Sequence, residues 1–530
     1  MLRPHISLEC LNVGVQKLIT EWPRPGSPSE RQRFAQLQEA FPKQFQEVFP
    51  DPHRARTVVV IPSLSLPPEE LKKISGVNHY EERMLFTLML LRMPRTRLIF
   101  ITSEPIAPGI IDYYLQLLPG VPSVHAQERL TFWACHDASP IPLAQKVLDR
   151  PRLIQRIRHG IVDPSAAHLT CFNATERERT LAVRLGIPLY ACDPDLHHLG
   201  TKSGSREVFR EAGIPFPDGF ENLRDLADVT DALTELKRRH PALRRAVVKL
   251  DEGFSGEGNA VFTYGDDAPE GAALHAWVQD RLPERLRFEA ASETIERYGS
   301  AFEEMGGVVE LFVEGAVKAS PSAQCRVDPL HKPVVISTHD QVLGGPTGQV
   351  FLGCTFPAAE PYRMEVQHYG CRVAEILARR GALGRFSVDF VSVESQEGWD
   401  HYAIEINLRK GGTTHPYLML EFLTDGHYDA DTGCFLTLDD QPRYYYASDN
   451  LVSERYRGLI PRDLVEIAVY HGLHFHGAMQ QGVVFHLIGA LSEFGKLGVL
   501  CIGDSPETAR RYYDDTVRVL DLETSGNAPP

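Results

Sequence analysis

Two kinds of apolar pattern run along the chain. "RTVVVIPS" (56–63) and "RLIFITSEPI" (97–106) are continuous β-branched or aliphatic runs closed by turn residues, as expected of strands buried on both faces. Between them, "PPEELKKISGVNHYEERMLFTLMLLRM" takes helical spacing in its second half, so strand, helix, strand is the economical reading. Shorter strands are predicted at "HLTCF" and "PLYAC". Near residue 200 the texture changes. "GTKSGSREVFREAGIPFPDGF" predicts a helix with Phe209 and Ala212 inward, Gly213 at its end and a proline shortly after. "RAVVKLDEGFSGEGNAVFTY" reads as strand, loop, strand, and 272–304 as a helical and variable segment. From 310 to 409 most segments are short and alternating, which predicts a largely antiparallel sheet. In the tail, "GVVFHLIGAL" and "KLGVLCIGDS" are strand-like, and Ser505-Pro506-Glu507 opens a helix that buries Ala509, Tyr512, Val517 and Leu520.

These textures divide the chain into an N-terminal open α/β domain (1–198), a mixed region (199–430) with a glycine-loop lobe at about 215–310, and a small C-terminal α+β domain (450–525). A length of 530 residues is more than one ordinary core, in keeping with several domains. The formal charge of −15, from 55 basic and 70 acidic residues, weighs against a nucleic-acid or anionic-membrane surface. "MLFTLMLL" is too short to span a bilayer, and Glu9 and Asn12 interrupt the start of the chain as a signal peptide, so a cytoplasmic location is expected. Nine cysteines without a C-x-x-C pair predict reduced thiols rather than a disulfide framework or zinc site.

Candidate chemistry lies in two segments. In "HYAIEINLRKGGTTHP" (401–416) Ile404, Ile406 and Leu408 alternate with Glu405, Asn407 and Arg409; upstream, "GRFSVDFVSV" alternates Phe386, Val388 and Phe390 with Ser387 and Asp389. A hairpin centred near Glu397-Gly398 places Asp389 opposite Glu405, where two carboxylates repel. A divalent cation removes the conflict: Asp389, Glu405 and Asn407 are hard oxygen donors suited to Mg²⁺, which keeps positions for phosphate, and Arg409 next along the face can pair a phosphoryl oxygen. A half-solvated strand with a polar outer face is the alternative. In "VVKLDEGFSGEGNAVF", Gly253, Gly256 and Gly258 let a hairpin turn its N–H groups toward an anion, with Ser255 adding a hydroxyl and Lys249 a charge. The spacing fits neither a P-loop nor a dinucleotide fingerprint, and a plain turn is the alternative. His471, His474 and His476 have no fourth ligand near in sequence and read as structural groups.

Lys202 before a helix, Lys249 before a glycine hairpin, Glu310 at the end of "VVE", Asp389, and Glu405-x-Asn407 resemble, in order and spacing, the ATP-grasp superfamily over residues 199–425. The resemblance implies two α+β lobes gripping ATP. Lys202, Lys249, Gly253, Ser255, Gly256 and Gly258 would meet the phosphates, while Glu310, Leu311 and Val313 would form the hinge that meets adenine through its backbone. The Glu that many members carry seven residues after the hinge Glu is Val317 here, leaving Glu314 as the substitute for the ribose contact. "LKKISGVNHYEERML", "THDQVLGGPTGQVFLGCTFPA", "EINLRKGGTTHP" and "GVVFHLIGALSEFGKLG" look like the pheganomycin-type ATP-grasp peptide ligases. That implies ATP-dependent activation of an amino-acid-like carboxylate as an acyl phosphate and its joining to the N-terminal amine of a peptide or amino acid. Arg409, Lys249 and Arg326 would be catalytic, with a strand-surface charge as the alternative for Arg326; Arg409, Thr413, Thr414 and His415 would contact substrate, with a structural role as the alternative for His415. A phosphotransferase or a ligase with another acceptor, and a non-catalytic nucleotide-binding scaffold, are the rival readings. The partners expected are a small carboxylic acid and an amine, with no nucleic acid or membrane, and a homodimer is left open.

Overall fold

The computed structural model describes residues 22–253, 258–290, 293–344 and 350–525. The run "RTVVVI" forms β1 (Arg56–Ile61), every residue of which is buried. It pairs in parallel with β2 (Thr96–Thr102) on one side and β4 (Ala167–Cys171) on the other, and β3 (Leu130–Ala134) lies beyond β2. Val58 and Val60 enter one apolar core and Val59 and Ile61 another, so both faces are covered, as a parallel sheet requires. The strand order is β3-β2-β1-β4. The winding therefore reverses between β1 and β4, and their C-terminal ends flank the position where open α/β sheets take ligands.

The crossover from β1 to β2 is a short helix, Pro68–Lys73, then a 3₁₀ run, Val77–Arg92, whose second half is almost wholly buried. "PLYAC" does not form the expected strand. Leu169 donates to Pro188 O and accepts from Tyr190 N, a single parallel bridge at Leu189. Proline has no N–H to continue the ladder, and the chain leaves after one bridge.

The second sheet is antiparallel, in the order β5-β9-β6-β7-β8, from β5 (Gly219–Leu223), β6 (Arg245–Leu250), β7 (Asn259–Thr263), β8 (Leu286–Phe288) and β9 (Gly307–Leu311). Helices Leu226–Arg239, Ala273–Arg285 and Ile295–Met305 bury Leu233, Leu236, Val278, Tyr298 and Phe302 against it.

The third sheet has eleven strands: β10 (Lys318–Ala319), β11 (Pro321–Val327), β12 (Pro333–Gly344), β13 (Val350–Phe356), β14 (Gly384–Ser395), β15 (Gly398–Asn407), β16 (His427–Asp429), β17 (Cys434–Leu436), β18 (Pro442–Val452), β19 (Gly482–His486) and β20 (Lys496–Gly503). Its path is β10-β14-β11-β12-β13-β18-β17-β16, with β15 on β14 and β20 joining β18 to β19. The tail strands β19 and β20 thus extend this sheet instead of building one of their own. Ser505 caps helix Pro506–Thr524 by accepting from Thr508 N at 3.1 Å, and Ala509 and Leu520 are buried on it as the periodicity predicts. Among the described residues no helix is long and apolar enough to cross a membrane.

Candidate active site

The hairpin β14–β15 turns through Glu397-Gly398, and a bulge between Asp389 and Phe390, with Ile404 as the extra residue on β15, shifts the register by one, so that Asp389 lies opposite Glu405 and Ser387 opposite Asn407. Phe386, Val388, Phe390 and Ile406 bury the other face. Asn407 Nδ2 donates to Asp389 Oδ2 at 2.9 Å and to Glu405 Oε1 at 3.2 Å, tying the two acids together. Burial and then the opposed Glu405 push the Asp389 carboxyl well above the usual range. Burial works the same way on Glu405, but Lys202, whose ammonium is ion-paired with it, holds it down. One acid thus favours its neutral form and its partner its ionised form, the asymmetry expected when two carboxylates share a site. The two opposed carboxylates form an oxygen donor set that fits a hard divalent cation with positions to spare, and the amide of Asn407, which turns its nitrogen to both acids here, can present its oxygen instead once a cation takes the acids.

Lys202 is the first residue of helix Lys202–Ala212, whose cap Thr201 accepts from Gly204 N at 3.0 Å; Gly213 ends it with φ of +61°. This helix start docks on the base of the glycine hairpin, where Ser203 N donates to Asp251 Oδ1 at 2.7 Å. Gly253 and Gly258 face each other across the hairpin neck: a Cβ on Gly253 would lie 3.3 Å from Gly258 N. Ser255 and Gly256 lie outside the described residues.

Lys249 and Glu310 project from neighbouring strands β6 and β9 and form a buried ion pair. Arg206 adds a second cation, its Nη1 at 3.3 Å from Glu310 Oε2, and reaches Glu221 Oε2 at 3.0 Å through Nε. The Glu310 side chain is therefore the internal anchor of Lys249. Leu311 ends β9, and Val313 O accepts from Lys318 Nζ at 3.1 Å. Glu314 is exposed and paired with Arg245 in a two-pronged contact of 2.7 and 3.0 Å.

Arg409, two residues past Asn407, stands within electrostatic reach of both acids, but among the described residues its guanidinium donates to Lys410 O alone, at 3.0 Å. Arg326 on β11 faces Arg385 on β14 across the sheet, four residues along from Asp389. Thr413 and Thr414 open helix Thr414–Thr424 and are buried, with Thr414 Oγ1 accepting from Gly411 N at 3.1 Å. His415 turns inward: its Nε2 is 3.2 Å from the Tyr114 hydroxyl and its ring 4.2 Å from that of His486, and burial holds it neutral, down to about 3. Lys202, Asp389, Glu405, Asn407 and Arg409 are thus brought together, with Lys249 close enough to act on Glu405; His415 is packed into the interior. Sequence reasoning missed Gln341, whose side chain bonds Asp389, and Gln324, opposite Ser387 with its amide nitrogen unpartnered. It also missed Arg385, although the alternation that singled out Asp389 puts Arg385 on the same face.

Residues 194–266 and 275–431 match the family model described as IQCH-like, ATP-grasp, and residues 463–516 match the PGM1 C-terminal domain. The chain is 32% identical over 466 residues to the L-propargylglycine–L-glutamate ligase of Streptantibioticus cattleyicolor, covering 86% of this chain and 92% of that protein. It is 23% identical over 532 residues to IQ motif-containing protein H of Danio rerio, covering 89% of this chain and 49% of that longer protein. Among solved structures, a biotin carboxylase from Campylobacter jejuni, crystallised as its β-γ-ATP complex, superposes with a TM-score of 0.52 at 13% identity, over 90% of this chain and 95% of that one. The biotin carboxylase domain of the Hydrogenobacter thermophilus 2-oxoglutarate carboxylase gives 0.51 at 12% identity, over 87% and 89%. At such identities the structural likeness speaks to the fold alone.

Proposed function

The chain belongs to the ATP-grasp family, and we propose that it is an ATP-dependent carboxylate–amine ligase that activates an amino-acid-like carboxylate as an acyl phosphate and joins it to the amine of an amino acid or peptide. The observation that carries this reading is the opposed pair Asp389 and Glu405, tied by Asn407 and flanked by Lys202 and Arg409. These oxygens would hold Mg²⁺, which when bound neutralises phosphate oxygens. A carboxylate resists attack because its charge is delocalised over the carbonyl. One of its oxygens attacks the γ-phosphorus and ADP leaves with the bond's electron pair; the amine nitrogen then adds to the carbonyl carbon, phosphate departs, and the amine loses a proton.

This chain's part is chiefly electrostatic. Lys202, Lys249 and Arg409 supply positive charge for the transferring phosphoryl group. Glu310 orients Lys249 from below, so the ammonium is in place before nucleotide arrives. Lys202 is neutralised by Glu405 in the free protein, so nucleotide binding exchanges one counter-charge for another. Adenine would meet the backbone of Glu310, Leu311 and Val313, and ribose would compete with Arg245 for Glu314. The relative's acid and amine are both amino acids by name, which supports that substrate class here. Association into a homodimer, as named for the Hydrogenobacter domain, belongs to the same proposal and is read by sedimentation.

The test is incubation with ATP, Mg²⁺ and panels of ¹⁸O-carboxylate amino acids and amines, following nucleotide, phosphate label and product mass. ADP, one label in phosphate and an amide product are expected. AMP and pyrophosphate with label in AMP would overturn acyl phosphate chemistry, and ADP formed with no amide would favour transfer to another acceptor.

A further inference from the structure

The polar face of β11, β14 and β15 is graded from acid to base. Its first row is Ser322, Asp389 and Glu405; its second is Gln324, Ser387 and Asn407; its third is Arg326 and Arg385, with Arg409 two residues beyond Asn407. Rows two residues apart are about 7 Å apart, so the guanidinium row stands about 13 Å along the strands from the acids, a gap that long side chains shorten. Arg326 and Arg385 are directly opposed like charges, as costly in a sheet as the opposed acids. Arg326 Nε and Arg385 Nη1 are both buried without a hydrogen-bond partner.

Lys410 joins this group from the next position in the chain. Its Nζ is 2.6 Å from Cys171 O and 3.2 Å from Thr170 Oγ1, and its backbone N donates to Phe172 O at 3.2 Å, so it is moored to the C-terminal end of β4. Among the described residues no carboxylate is in ion-pair contact with Arg326, Arg385, Arg409 or Lys410; Glu421 acts on Arg385 only from farther off. Between Arg385, Arg409, Lys410 and Asn173 is a small crevice, partly open to solvent, at the β1/β4 reversal of the N-terminal sheet. Unpaired cations are costly to hold out of water, so such a cluster is completed by an anion. The crevice's free volume of about 10 Å³ is that of about one water, which leaves room for one oxygen of a carboxylate at the mouth and none for a nucleotide.

We propose that this crevice, with Arg385 and Lys410 as recognition groups, holds the α-carboxylate that an amino-acid substrate keeps through the reaction, on either the acid or the amine partner. The inference rests on the ligase reading above. It assigns to the third row the end of the substrate that is not transformed, while the first row attends to the phosphoryl group.

The test uses the full chain with Mg²⁺ and the non-hydrolysable ATP analogue AMP-PNP, titrated calorimetrically with the twenty L-amino acids and with their α-carboxamides. At least one amino acid is expected to bind about a hundredfold more tightly than its amide. Arg385→Gln should bring the acid down to the affinity of the amide while the amide itself changes less than about threefold, and Lys410→Met, as an independent variant, should move both in the same direction. Retention of the full preference for acid over amide in both variants overturns the proposal. So does a wild-type protein that binds AMP-PNP and none of the amino acids. Absence of AMP-PNP binding to the wild type strikes the ligase reading itself, and this inference with it. Presenting acid and amide forms in turn as the acid partner and as the amine partner of ligation, with products read by mass, identifies which substrate carries the recognised carboxylate.

Discussion

Replacing Asp389 with Asn separates a working carboxylate from a structural one, because the two predict opposite signs of stability change. In the free protein Asp389 faces Glu405, and burial followed by that neighbour pushes its carboxyl up, so its charged form is unfavourable where it stands. Asn keeps an oxygen that accepts from Asn407 Nδ2, now at 2.9 Å, and removes the repulsion. Directly opposed like charges cost ~0.2–1 kcal/mol across a strand pair. At ~2–4 °C per kcal/mol for a unit of this size, Asp389→Asn should raise Tm by up to about 4 °C without Mg²⁺. With Mg²⁺ and AMP-PNP at a hundred times Kd the wild type gains about 2.7 kcal/mol, or roughly 5–11 °C, and the variant should lose most of that gain. Turnover should fall by about 10²–10³-fold. Thermal melts with and without Mg-nucleotide, beside an ADP-release assay, read all three quantities. A variant that melts below the wild type without Mg²⁺, or one that keeps the full Mg-nucleotide shift, refutes the reasoning.

Glu310→Gln leaves Lys249 without its counter-ion and Arg206 with Glu221 alone, so urea denaturation should show a loss of about 3–5 kcal/mol; a loss below about 1 kcal/mol would mean the buried pair is not what holds Lys249. Glu314→Ala breaks an exposed pair with Arg245 and should cost no more than about 1 kcal/mol, while KM for ATP rises about tenfold. An unchanged KM would take Glu314 away from ribose. Burial, then Arg56 and Lys410, push the His168 imidazole down to about 3, so the folded chain refuses a proton that the unfolded chain takes up below pH 6.5. Stability should therefore fall as pH drops from 6.5 toward 3, by about 1.4 kcal/mol per pH unit from this group. His168→Phe, in a site bounded by Phe41, Phe49 and Tyr190, should remove that share of the slope, and an acid limb of unchanged steepness would count against it.

What the sequence determined by itself is what neighbours in the chain decide. The "RTVVVI" run is insoluble on either face and becomes a central strand; Thr201 and Gly213 bound a helix because caps act within a turn. The short turn at Glu397-Gly398 makes the hairpin itself legible, but alone it would put Ile404 opposite Asp389; a bulge between Asp389 and Phe390, which no local pattern marks, supplies the one-residue shift to Glu405. The order of the lysines, the glycine hairpin and the acids was legible in the same way. Only the tertiary structure decided which residues meet across long separations, because strand pairing between distant segments is chosen by the whole core and leaves no local mark. Arg326 meets Arg385 because β11 pairs with β14 across an intervening helix, Arg363–Arg379. Glu314 meets Arg245 and His415 meets His486 by similar routes, which turned a ribose candidate toward an arginine and a substrate candidate into the interior. The tail strands read correctly as strands, but β20 joins β18 and so carries them into the central sheet. The cationic crevice is the furthest from sequence of all: it exists only because the end of β4 and the end of β15 come together, where Lys410 reaches Cys171.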